Sequence, residues 1–226
     1  RSSAASDVYK RQAWGYDFNG TADGKFQSSD VLAASDLAMV VMIFASAMMV
    51  GGDLGKGTVA WSYLSSNRRV GIVLSQFVVI LVSLLLAATL GIAVGTLLIA
   101  ALGGDIDFTS FHQWPDCNRV VFAYLEWTGF SLLAMGLAYL LRSGTFAAMI
   151  LVVEFFVLET ALMAFDASWA EALLSCLPFA NMQTLVLGSD LALDHSRGVS
   201  ALILGVTLAV CVGGACVVSR RRSVAK

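Results

Sequence analysis

Charge is scarce in this chain of 226 residues, of which 13% are Asp, Glu, Lys or Arg, against about 25% in soluble domains. With 58% apolar residues and a mean hydropathy of +0.79, the composition excludes an ordinary soluble enzyme. Prolines are limited to Pro115 and Pro178, and neither interrupts a long apolar run. A Pro-rich disordered or collagen-like chain is thereby excluded. A formal net charge of −2 leaves no basic footprint for nucleic acid. The two histidines, His112 and His195, have no H-x-x-x-H or H-E-x-x-H neighbour, so no metal site is expected. The cysteines include no C-x-x-C pair, and Cys211 and Cys216 read as small apolar packing residues. No G-x-S-x-G appears within an apolar run, so a catalytic constellation is not expected either.

In place of charge there are apolar runs. Five stretches, over 31–52, 75–102, 120–141, 145–165 and 199–218, are each long enough at about 1.5 Å per residue to cross a bilayer core of roughly 30 Å as a helix. Helices are the expected form, because isolated strands would leave backbone groups unpaired in lipid. The fold class expected is therefore all-α, a polytopic membrane helix bundle, with a transmembrane domain over 31–218.

The first twelve residues stand apart. Ser2 to Gln12, SSAASDVYKRQ, resembles a translated sequencing-library adapter, its codons satisfied in one frame, so 1–12 is expected to be an artefact. Residues 13–30 are rich in Gly, Asp and Ser and read as a loop.

Basic residues alternate between the connections. One set carries Lys56, Arg68, Arg69, Arg142, Arg220, Arg221, Arg222 and Lys226, and the other only Lys25, Arg119 and Arg197. Lys and Arg accumulate on the cytoplasmic side, so the tail over 219–226 is expected inside and the loop over 13–30 outside. An exterior loop at that point implies a helix upstream of it, making six in all. Arg142-Ser143-Gly144 reads as a tight turn, and Ser168 to Leu177 as an interfacial helix bearing Trp169, Leu173, Leu174 and Leu177.

Three stretches carry a family resemblance: GGDLGKGTVAWSYLSSNRRVGIVLSQ after the first run, LLRSGTFAAMI at the turn, and LPFANMQTL before the last run. In this order they resemble the permease subunits of type-2 ATP-binding-cassette exporters, of the bacitracin and lantibiotic self-protection kind. Asp53, Gly57, Thr58, Asn67 and Arg68 stand at the family's motif positions, while Asp53 replaces a commoner Glu and Ser66 a frequent Pro. The resemblance implies a six-helix bundle in a bacterial plasma membrane, paired with a second copy or a sister permease. It also implies a separate cytoplasmic ATPase that binds ATP and Mg, and no cofactor in this chain. Gly51 to Thr58 has the wrong spacing for a phosphate loop.

Candidate site residues follow. Gly57, Thr58, Trp61, Tyr63, Leu64, Arg68 and Arg69 are expected to form a short interior helix and its basic end. Trp61 and Leu64, with Val59 and Tyr63, would make an aromatic-aliphatic knob for the ATPase or an anchor in the headgroup zone. Asp36, Glu126, Glu154 and Glu159 are acids within the spans, where charge is costly and usually functional. They are read as an acidic substrate path, or alternatively as protonated structural carboxyls. At α-helical geometry Glu154 and Glu159 would lie roughly 140° apart and could not both face one narrow path. Cys117 and Cys176 are a possible exterior disulfide. Gly91 and Gly95 form G-x-x-x-G, which permits a close helix seam or ordinary packing in the bundle. The competing functions are an ATP-independent transporter, a membrane scaffold or sensor module, and an intramembrane enzyme.

Overall fold

The computed structural model describes residues 25–26, 35–55, 69–101, 105–106, 116–165, 167–187 and 196–221. These form a helical membrane-type fold with five helices long and apolar enough to cross a bilayer. The elements are β1 (Lys25–Phe26), α1 (Ser35–Gly55), α2 (Arg69–Ala101), β2 (Asp105–Ile106), α3 (Asp116–Leu141), α4 (Gly144–Met163), α5 (Ser168–Leu174), α6 (Pro178–Leu187) and α7 (Arg197–Arg221). The strands are two residues each and pair in parallel, Lys25 with Asp105 and Phe26 with Ile106. They belong to one compact unit of the chain (1–37 and 87–123), and the other unit holds 38–86 and 124–226.

The expected spans are present with shifted ends. The run at 75–102 is part of a 33-residue helix that begins at Arg69. The run at 120–141 begins at Asp116, and that at 145–165 is Gly144–Met163. The last run, 199–218, is helical from Arg197 to Arg221, into the expected tail. The first is described from Ser35 to Gly55. Helices continue past their apolar runs because long basic side chains such as Arg69 and Arg220 can keep their heads in water while the backbone stays hydrogen-bonded.

In the second unit, α1 turns one stripe inward: Met39, Met42, Ile43, Ser46, Ala47 and Val50 are all buried, at the three- and four-residue spacing of a helix face. Val73, Phe77 and Ile80 do the same for the start of α2. Among the five long helices α3 buries the largest share of its length and α7 the smallest. Large side chains elsewhere, such as Leu86, Leu97 and Leu202, are about two-thirds exposed, an arrangement suited to lipid. Hydroxyls along the spans bond to their own helix, as Ser83 to the Val79 carbonyl at 2.8 Å and Thr207 to that of Ile203 at 2.9 Å. They therefore meet the apolar surroundings without an unpaired donor.

The chain reverses between α3 and α4 in two residues. Arg142 takes the left-handed conformation, φ 58°, uncommon for a residue with a side chain. Ser143 is extended and its hydroxyl caps α4 by accepting the Phe146 N–H at 3.3 Å. This is the turn expected from Arg142-Ser143-Gly144, with Gly144 already inside the helix. Gly144 is also where α4 meets α1. A Cβ there would lie 2.3 Å from the Ala47 carbonyl oxygen, and one on Gly51 would lie 2.4 Å from the Gly144 nitrogen. Only glycine allows backbones this close. Gly91 and Gly95 are different: a Cβ on either would meet no described atom within 4 Å, so no described residue packs closely against these glycines.

Candidate functional site

The site is built on an irregularity in α4. Between α-helical Gly144–Val153 and Thr160–Met163, residues Glu154–Glu159 form a π-helical turn. Such turns are rare and occur mostly as single insertions in α-helices, frequently at functional sites. Hydrogen bonding from i to i+5 widens the turn and brings residues five apart back onto one face. This overturns the expectation that Glu154 and Glu159 point about 140° apart: the two carboxyls lie close enough to interact. The Thr160 hydroxyl bonds to the Phe155 carbonyl at 3.4 Å, five residues back, and so satisfies an acceptor within the widened turn.

Glu159 is fully buried. Its Oε1 accepts the backbone N–H of Phe179 at 3.0 Å. Phe179 follows Pro178, the first residue of α6, a position that proline favours because its missing N–H would be unpaired there anyway. The next amide needs an acceptor, and a carboxyl from α4 supplies it. The same short helix packs on α7 and on the π turn. Asn181 fixes the approach to α6 by donating to the Ser175 carbonyl at 2.9 Å and to the Leu177 carbonyl at 2.7 Å. Leu162, Ala170, Leu174 and Ala180 form the apolar cluster that holds the end of α4, α5 and α6 together. The interfacial helix expected over Ser168–Leu177 is thus α5, ending at Leu174, with Trp169 and Leu173 exposed and Leu174 buried.

The remaining oxygens of the pair face each other. Glu154 Oε1 and Oε2 and Glu159 Oε2 are buried and find no donor on any other described residue, while the two carboxyls hydrogen-bond each other, which requires a proton between them. Aromatic residues neighbour the pair, Phe155 and Phe156 in sequence and Phe179 through its N–H. Phe155 stands edge-on to Phe179, centroids 4.1 Å apart, and to Phe156 at 4.3 Å, while Phe130 of α3 approaches Phe179 at 6.4 Å. Ser131, beside Phe130, is also fully buried with its Oγ unpartnered among the described residues. A buried pair of carboxyls can accept protons or hold a cation; the pair offers no donor of its own when ionised.

The other expected site residues fall elsewhere. Asp36 is exposed in the first turn of α1, where an acid suits the helix dipole. Glu126 is half-buried on α3 beside Trp127. Both have polar or electrostatic interactions of their own. Of the four acids expected to share a path, Glu154 and Glu159 are the two shown to meet. Arg69, assigned to the coupling element, is half-buried as the first residue of α2, whereas Gly57, Thr58, Trp61, Tyr63, Leu64 and Arg68 lie outside the described residues. Cys176 is exposed and its thiol is free, so the Cys117–Cys176 disulfide is not formed in this structure; the Cys117 side chain lies outside the described set. Among the described residues no group of three or more His, Cys, Asp or Glu could hold a metal.

A second polar constellation was not singled out by sequence reasoning. Gln76 of α2 donates to Asp53 Oδ2 at 2.5 Å and accepts a hydrogen bond from the Tyr139 hydroxyl. Tyr139 is buried, its ring 5.7 Å from that of Phe77. One amide thus ties α1, α2 and α3 together. The signal available in the sequence was Gln76 itself, an amide inside an otherwise apolar run. Comparison of the chain with protein-family models, with curated proteins and with solved structures found no match.

Proposed function

We propose that the chain is the membrane-spanning permease subunit of an ATP-driven exporter of the type-2 class in a bacterial plasma membrane. It works with a second copy or a sister permease and with a separate cytoplasmic ATPase that binds ATP and Mg. The observation that carries this reading is the order of elements. A polar basic connection follows the first long helix, a two-residue reversal joins the third and fourth, and a pair of short helices, α5 and α6, immediately precedes the last span. The three family-like stretches fall at these same places in the chain. In this reading the chain's own residues bind and conduct, and the energy comes from the partner.

Two experiments test this. Trp61→Ala or Leu64→Ala should weaken co-purification of the ATPase encoded beside this gene, since truncating a contact at the centre of an interface costs about 2 kcal/mol or more. Unchanged association and unchanged transport-coupled ATP hydrolysis in both variants would remove the coupling assignment, and adjoining DNA without a Walker A reading frame would remove the exporter reading. For orientation, a cysteine introduced at position 20 should be labelled in intact cells and one at position 224 should not; the opposite pattern would reverse the topology.

An ion-gradient-driven carrier is the second reading, favoured by the buried carboxyl pair at an irregular turn of a membrane helix, a feature such carriers use. Uptake into vesicles containing this chain alone, driven by a proton or sodium gradient, would select it over the exporter.

A further inference from the structure

An α-helix of the same sequence would separate Glu154 from Glu159; the π turn brings them together. Three of their four carboxyl oxygens are buried with no donor from any other described residue, the fourth is held by the Phe179 N–H, and the two carboxyls bond each other through a shared proton that a cation could replace. Buried polar atoms are nearly always paired, and two carboxyls in an apolar setting need a proton or a cation to offset their charge. What the site lacks is therefore hydrogen-bond donors and positive charge. What it adds is aromatic surface, from Phe155, Phe156 and Phe179, which attracts organic cations through the ring face. A divalent metal is a poor complement. Calcium takes six to eight oxygen ligands and magnesium about six, and no third acid, His or Cys joins the pair among the described residues.

We propose that Glu154 and Glu159 form a binding site for the primary ammonium head of an amphipathic organic cation, with its apolar body against the phenylalanines. Glu154 offers both oxygens and Glu159 its Oε2, matching the three protons of an ammonium. Phe156, Val157 and Leu158 of the same turn are about half-exposed, and an amphipathic cation already concentrates at the membrane. Glu159 has a second task. Its Oε1 holds the first free amide of α6, which packs on α7, so a cation that draws on Glu159 pulls on the start of α6 and through it on the last span. Glu154 is thus the ligand-facing carboxyl, and Glu159 both ligand and link. The identification of this cation as cargo rests on the permease reading; the site itself does not.

The test uses the full chain in lipid nanodiscs without any ATPase, with octylammonium as probe and 1-octanol as its uncharged counterpart. Octylammonium should bind saturably at one per chain, and Glu154→Gln or Glu159→Gln should weaken it about tenfold or more. Glu171→Gln, on the exposed face of α5, should leave it unchanged, and octanol should not compete. Dicyclohexylcarbodiimide, a hydrophobic carboxyl reagent, should modify Glu154 in the unaltered protein, and octylammonium should protect it. Non-saturable binding, equal binding by Glu154→Gln, or displacement by calcium but not by equal ionic strength of sodium would each overturn the proposal. If a variant fails to fold, protection of Glu154 from the carbodiimide still decides the matter: absence of protection overturns the site. Saturable binding together with adjoining DNA that lacks a Walker A reading frame would remove the exporter reading and leave the site standing.

Discussion

Two polar clusters in the same unit of this molecule are built in opposite ways. Around Gln76 an Asp, an amide and a phenol meet across three helices, every one of them hydrogen-bonded, beside a glycine-to-glycine crossing in which α1 and α4 touch backbone to backbone. Around Glu154 and Glu159 the acids outnumber their donors, and three carboxyl oxygens find no donor on any other described residue. A satisfied network in a membrane fixes how helices pack. An unsatisfied one carries a cost at membrane depth and so points to something the site is made to take up.

Substitutions should separate the two. The largest effect is expected at the glycine crossing. Gly144→Ala places a methyl carbon 2.3 Å from the Ala47 carbonyl oxygen, and Gly144→Leu is worse. Overpacking of this sort costs about 1–3 kcal/mol or more, so thermal melting in detergent should fall sharply. Gly91→Ala, with no described atom within 4 Å of the new carbon, should hold or raise the midpoint, because alanine favours helix over glycine by about 1 kcal/mol. Equal losses at Gly144 and Gly91 would break the distinction between packed and open glycines.

Next comes the satisfied network. Gln76→Leu removes bonds to both Asp53 and Tyr139 and should destabilise by about 1–2 kcal/mol, with Tyr139→Phe losing about half as much. A midpoint unchanged in Gln76→Leu would show that the amide does not organise the three helices.

At the carboxyl pair the losses should be smaller and unequal. Glu159→Ala takes away the acceptor for the Phe179 N–H and should cost about 1 kcal/mol, the usual worth of a helix N-terminal acceptor. Glu159→Gln keeps an oxygen for that N–H and should cost less. Faster proteolysis at the start of α6 in the Ala variant alone is the local readout. Smallest of all, Glu154→Gln should shift stability by no more than about 0.5 kcal/mol in either direction, because the amide can still donate to Glu159 as a protonated carboxyl does. A drop as large as that of Gln76→Leu would make Glu154 a structural residue and erase the contrast.

The five spans could be read from the sequence because a run of about twenty apolar residues has a single stable solution in lipid: a helix with its backbone bonded internally. The helix ends could not, since hydrophobicity stops at the membrane face while the hydrogen-bond ladder continues through residues such as Arg69, Asp116 and Arg221. The turn at Arg142 was legible because Arg-Ser-Gly interrupts two apolar runs and leaves no room for anything longer. The acids were legible as anomalies, but their grouping was not. Spacing of five residues means opposite sides on an α-helix and one side on a π turn, and nothing in the string EFFVLE declares which ladder forms. Glycine poses the same problem, as Gly91 and Gly144 are identical letters in apolar surroundings. Local transfer energetics in the sequence determined that this chain makes long membrane helices and where acids would be costly. The tertiary structure alone decided which glycines bring backbones together, that Gln76 joins three helices, and that Glu154 and Glu159 share a face at the start of α6, because those outcomes depend on partners distant in sequence.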